Sequence, residues 1–79
     1  MTREEVYERL NGVFERVFDI DGIRVSDATT AADVKGWDSM EHINLIFAVE
    51  NEFGLKFNIG EVNKFKNVGE MVDMILERT

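Results

Sequence analysis

Seventy-nine residues, 44% of them hydrophobic, suffice for one domain spanning 1–79 with one modest core and room for about three or four short helices. The absence of cysteine excludes disulfides, thiolate nucleophiles and zinc-thiolate sites, and the single histidine excludes a multi-histidine metal centre. Sixteen acids against nine bases give a formal charge of -7, which repels phosphate backbones and anionic lipid and favours a partner with a basic docking surface.

The opening "MTREEVYERL" has no basic-then-apolar signal pattern, and no apolar run approaches the ~20 residues of a membrane span, so a soluble, cytoplasmic protein without membrane insertion is expected. From Thr2 to about Phe18 the residues Val6, Leu10, Val13, Phe14 and Val17 recur at steps of three and four, which predicts an amphipathic helix. Thr2 reads as its N-cap, with Glu5 completing a capping box. The next stretch, "DIDGIRVSDATTAADVKG", mixes turn formers with isolated apolar residues and predicts a long ordered loop held down by Ile23, Val25, Ala28 and Val34. It is not a calcium loop. Setting Gly22 at the sixth position places Val17 first and Ala28 twelfth, where an Asp and a bidentate Glu are needed.

A second helix is predicted over Ser39 to about Phe53, stopped by Gly54. "LKFNIGEVNKFKN" then reads as a connector with one short helical turn near Glu61 to Lys64. A last helix is predicted over Val68 to Glu77, burying Val68, Met71, Val72, Ile75 and Leu76. The expected fold is all-α: a small four-helix bundle of three main helices and one short one, with the long loop between the first two.

The chemistry concentrates in "GWDSMEHINL". Asp38 followed three residues later by Glu41 reads as a second capping box, which makes Ser39 the first helical residue and projects its side chain outward at the positive end of the helix dipole. Free N–H groups there favour an attached phosphate. The competing reading makes Ser39 itself the cap, a role in which most serines are inert. A hydrolase is excluded on different grounds: His42 is the only histidine, and no glycine-rich elbow surrounds the serine.

"GWDSMEHINLIFAVENEFGLKF" resembles the phosphopantetheine attachment region of acyl carrier proteins, whose signature is Asp-Ser-Leu at the start of a helix ending in an acidic run and Glu-Phe-Gly. Here the triplet is Asp38-Ser39-Met40. The long loop before it and the closing "NVGEMVDMIL" extend the resemblance over nearly the whole chain. The resemblance implies that Ser39 receives a 4'-phosphopantetheine arm from coenzyme A through a phosphopantetheinyl transferase, with Asp38 as the helix cap beside the site. The arm's thiol then holds acyl groups as thioesters for loading and processing enzymes such as a ligase, ketosynthase or transferase, and the carrier, a monomer, catalyses nothing. Such an import explains how a chain without cysteine takes part in thiol chemistry. The family often has a proline where this chain reads Phe57-Asn58-Ile59-Gly60, and acids common on the second helix of fatty-acid carriers are replaced by Asn44 and Asn51. Fatty-acid, polyketide and aminoacyl or peptidyl pathways therefore stay open, as does a cofactor-free helical module that binds a partner helix.

His42 falls in the sector of Val49 and Phe53, either as a half-exposed residue satisfied by water or backbone or as a contact for the arm at the cleft entrance. Trp37 is expected to staple the loop onto the bundle. Phe57, Phe65 and Met71 are expected to line the acyl cleft with His42 and, being bulky, to leave it small. On the second helix Leu45, Ile46, Val49 and Phe53 form one apolar arc, and Met40, Ile43 and Phe47 form another about 140° away. One short helix in a small bundle does not easily bury both, so the second arc, flanked by Glu41, Asn44 and Glu50, is expected to be a docking stripe for partner enzymes.

Overall fold

The computed structural model describes residues 1–63 and 65–79. Its elements run α1 (Arg3–Phe18), a single 3-10 turn (Ala31–Asp33), α2 (Ser39–Phe53), α3 (Ile59–Val62) and α4 (Val68–Arg78), with no strand among the described residues. The expected short turn therefore begins at Ile59, two residues before Glu61, and its Lys64 end lies outside the described residues.

α1 starts as its sequence dictates: the Thr2 hydroxyl accepts from the Glu5 N–H while the Glu5 carboxylate accepts from the Thr2 N–H at 2.8 Å. Its face of Val6, Leu10, Val13 and Phe14 is fully buried, and Val17 packs half-buried at the margin. α1 packs on α2 and α4, whose contributions to the same core are Leu45, Ile46, Val49 and Phe53, and Val68, Met71, Val72 and Ile75. Leu76, expected in that core, is only half-buried at its edge. α2 ends at Gly54, whose left-handed backbone (φ 66°) lets its N–H return to the Glu50 carbonyl at 2.9 Å.

The loop of residues 19–38 is ordered by specific anchors. Val25 and Val34 are buried and Ile23 is half-buried, but Ala28, expected to help, is exposed. Backbone bonds supply what Ala28 does not. The Asn11 side chain accepts from the Val25 N–H at 2.8 Å. The carbonyls of Thr29 and Asp27 accept from the first two N–H groups of α4, Val68 and Gly69, at 2.8 and 3.0 Å. With Asn67 accepting from Glu70 N–H, the first three orphan donors of α4 are all satisfied.

Candidate functional site

Asp38 is the N-cap of α2: its backbone is extended and its carboxylate accepts from the Glu41 N–H at 2.9 Å. The capping box is only half formed. The Asp38 N–H already donates to the Gly36 carbonyl at 3.0 Å, so the Glu41 side chain turns instead to Asn44, whose amide donates to it at 3.2 Å. Ser39 is thus the first helical residue rather than the cap. It is exposed, and neither its hydroxyl nor the N–H groups of Ser39 and Met40 have a protein hydrogen-bond partner among the described residues. In contrast to α4, whose loop consumes its first donors, α2 begins with two open N–H groups beside a free hydroxyl. That end of a helix favours a phosphate.

Beside Ser39 a groove of about 720 Å3 opens between α2 and α3, within the range of sites that hold small ligands. Met71, expected in this cleft, does not reach it: it is fully buried in the core, whereas His42, Phe57 and Phe65 do line it. Ile43, Ile46, Phe47, Ile59 and Val62 make its walls apolar.

Four rings run along this groove. Trp37 lies nearly parallel to His42 (14°) with centroids 6.0 Å apart, His42 meets Phe65 edge-on at 6.5 Å, and Phe65 meets Phe57 at 5.6 Å. Trp37 also packs T-shaped on Phe14 at 5.3 Å, so it does staple the loop to the core. Its indole N–H was not expected to have a second task. It donates to His42 Nδ1 at 3.0 Å, and His42 Nε2 in turn lies 2.7 Å from the Val62 carbonyl oxygen. Both histidine nitrogens are thereby committed to the protein, one of them to backbone, and neither is free to hydrogen-bond an arm. The partners lie five and 20 residues away in the chain, which is why helical spacing alone did not reveal them.

The stripe residues separate into two groups. Met40, Ile43 and Phe47 are 78%, 56% and 60% exposed, uncovered by Ile23 or Val25, and Ile59 adds a fourth exposed apolar side chain on α3. Glu50 does not flank this stripe as a free acid: it is half-buried and accepts from the Phe57 N–H at 2.8 Å, tying the connector to α2. Asn44 is exposed beside Glu41.

A helical bundle that presents an unengaged serine at a helix start, next to an apolar groove, is built to carry a tethered group. Comparison with known proteins says which. Residues 8–75 match the family model for the phosphopantetheine attachment site. An acyl carrier protein of Thermotoga maritima is 27% identical over 74 residues, covering 94% of this chain and 91% of that protein. A holo acyl carrier protein from Geobacter metallireducens, solved in solution, superposes with a TM-score of 0.84 at 39% identity, over 91% of this chain and 83% of that one. An acyl carrier protein of Enterococcus faecalis superposes at 0.74 with 30% identity over the full length of both. The chain belongs to the acyl carrier protein family. It is a carrier and not an enzyme, and its cofactor is covalently attached 4'-phosphopantetheine, which sets aside the cofactor-free module. The residues at the start of α2 fit that group: an exposed hydroxyl to esterify and two open N–H groups for its phosphate. Membership also implies dealings with a phosphopantetheinyl transferase and with biosynthetic enzymes. No helix among the described residues is long and apolar enough to cross a membrane.

Proposed function

We propose that residues 1–79 act as one carrier domain in which Ser39 bears the phosphopantetheine arm and presents acyl intermediates to enzymes of fatty-acid, polyketide or related specialised biosynthesis. The observation that carries this reading is the free Ser39 hydroxyl between the Asp38 cap and the groove. When bound, the arm supplies a terminal thiol that forms thioesters. The chain's own part is to hold the attachment oxygen in solvent, where a transferase reaches it, and to offer the Ser39 and Met40 N–H groups to the phosphodiester. The apolar walls of the groove favour an acyl cargo over a charged aminoacyl one, because burying an unpaired ammonium there costs several kcal/mol.

Incubation with coenzyme A and a broad-specificity transferase should add one phosphopantetheine to the wild type, read by intact mass, and none to Ser39→Ala. The variant should keep its circular dichroism spectrum and melting temperature, since Ser39 is exposed and does not cap α2. Addition to the variant at another residue would overturn the assignment.

A further inference from the structure

α3 is a single turn of four residues, and no side chain in it is fully buried: Ile59 is 85% exposed and Val62 half-buried. So short a helix does not persist on its own propensity, because nucleation fixes several residues for one or two hydrogen bonds. What fixes its place as the outer wall of the groove must be contacts from neighbouring elements. Two polar ones are evident. Arg78 at the end of α4 pairs with Glu61 and lies over the Phe57 ring at 5.5 Å, and His42 on α2 reaches the Val62 carbonyl across the groove.

The second contact is chemically over-determined. An indole N–H is a donor only, so the His42 Nδ1 that faces it at 3.0 Å must be the unprotonated nitrogen. In a neutral imidazole the proton is then on Nε2, the nitrogen facing a carbonyl that only accepts. Trp37 thus selects the tautomer that grips α3. The Trp37 bond at Nδ1, the Val62 carbonyl at Nε2 and the Phe65 ring edge-on at 6.5 Å leave the imidazole little freedom to turn away.

We infer that His42 is the positioning residue for α3: its Nε2–H, held in that tautomer by Trp37, ties the Val62 carbonyl to α2 and sets the width of the groove that receives the cargo. The meaning for cargo rests on the carrier reading of the groove; the tie itself does not, and it is tested on the unmodified protein.

The test uses two amides of similar chemistry. Gln at position 42 places a donor where Nε2 stands but loses the acceptor for Trp37; Asn reproduces the acceptor at Nδ1 and loses the donor for Val62. Native-state hydrogen exchange is read at the Glu61 and Val62 amides, both bonded to the Asn58 carbonyl within α3. The expected result is exchange in His42→Gln within about threefold of wild type and in His42→Asn about tenfold faster, with the Leu10 and Ile75 amides of the core moving equally in both variants. Equal exchange at α3 in the two variants, or a larger loss in His42→Gln, would overturn the inference. Long-range proton–nitrogen spectra of the wild type give an independent answer should either variant fold poorly: the proton is expected on Nε2, and a proton on Nδ1 would also overturn it. Failure of Ser39 to accept the arm would sink the carrier reading and leave both measurements standing.

Discussion

At the scale of single residues, Gly69 shows how the loop and the last helix depend on one another. A Cβ built there would stand 3.0 Å from the Asp27 carbonyl oxygen and 3.1 Å from its Cα, closer than nearly all real contacts. Asp27 has little room to yield. Its carboxylate is held by Arg3 at 2.8 Å and by the Tyr7 hydroxyl, and its carbonyl accepts from the Gly69 N–H. The Tyr7 hydroxyl is pushed up to about 12 by burial and by its bond to Asp27, while the Asp27 carboxyl is held below its usual range by Tyr7 and then Arg3. Gly69→Ala is therefore expected to destabilise the protein by about 1 to 2 kcal/mol in chemical denaturation, even though alanine improves helix propensity by about 1 kcal/mol. A variant as stable as wild type would show that the loop slides freely over α4. This junction is not legible in the sequence: a glycine in the first turn of a helix is a propensity cost, and the loop carbonyls that cap α4 carry no side-chain signal.

At the scale of elements, α1 and α2 are clamped at their exposed seam by Glu52, which receives Arg9 at 2.8 Å and Arg16 at 3.2 Å, while the Arg9 guanidinium lies 4.8 Å over the Phe53 ring. Hydrogen bonding to Arg9 is the first cause that lowers the Glu52 carboxyl from its ordinary 4.5. A carboxylate depressed in the folded state stabilises it above the unfolded value and loses that contribution as pH falls through the lower folded value. Stability against urea should therefore decline below pH 4.5, and Arg9→Met, which keeps the stem over Phe53, should flatten part of that decline. Parallel pH curves for wild type and variant would show the clamp to be energetically silent, as many exposed ion pairs are. Elements were otherwise the most legible level of this chain. The Thr2–Glu5 box, the Asp38 cap, the Gly54 stop and the apolar periods of α1 and α2 are local patterns, and local patterns survive folding. The groove was less legible because its composition depends on which face of α4 turns inward. Met71 and Phe65 are six residues apart in the chain, yet only Phe65 lines the groove beside Ser39.

At the scale of the whole molecule, two surface properties converge on α2. The chain carries a charge of -7, and it leaves Met40, Ile43, Phe47 and Ile59 exposed around the start of the groove. Scattered exposed apolar residues are ordinary, but these four share one neighbourhood beside Ser39, the proposed attachment site, and three of them line the same groove. A partner that docks there needs an apolar centre to cover the stripe and a basic rim to meet the acids, and its association should weaken as salt screens the charges. Phe47 is the sharpest probe of this surface. Truncating a core aromatic costs about 3 to 5 kcal/mol, whereas a surface change usually stays within about 0.5 kcal/mol. With Phe47 60% exposed, Phe47→Ser is expected to leave the unfolding midpoint almost unchanged. The same substitution should raise the KM of a phosphopantetheinyl transferase for this carrier, because it removes the largest apolar side chain of the stripe while leaving Ser39 and its cap in place. A collapse in stability would mean that Phe47 supports the fold, and unchanged transfer kinetics would mean that partners approach Ser39 from another side.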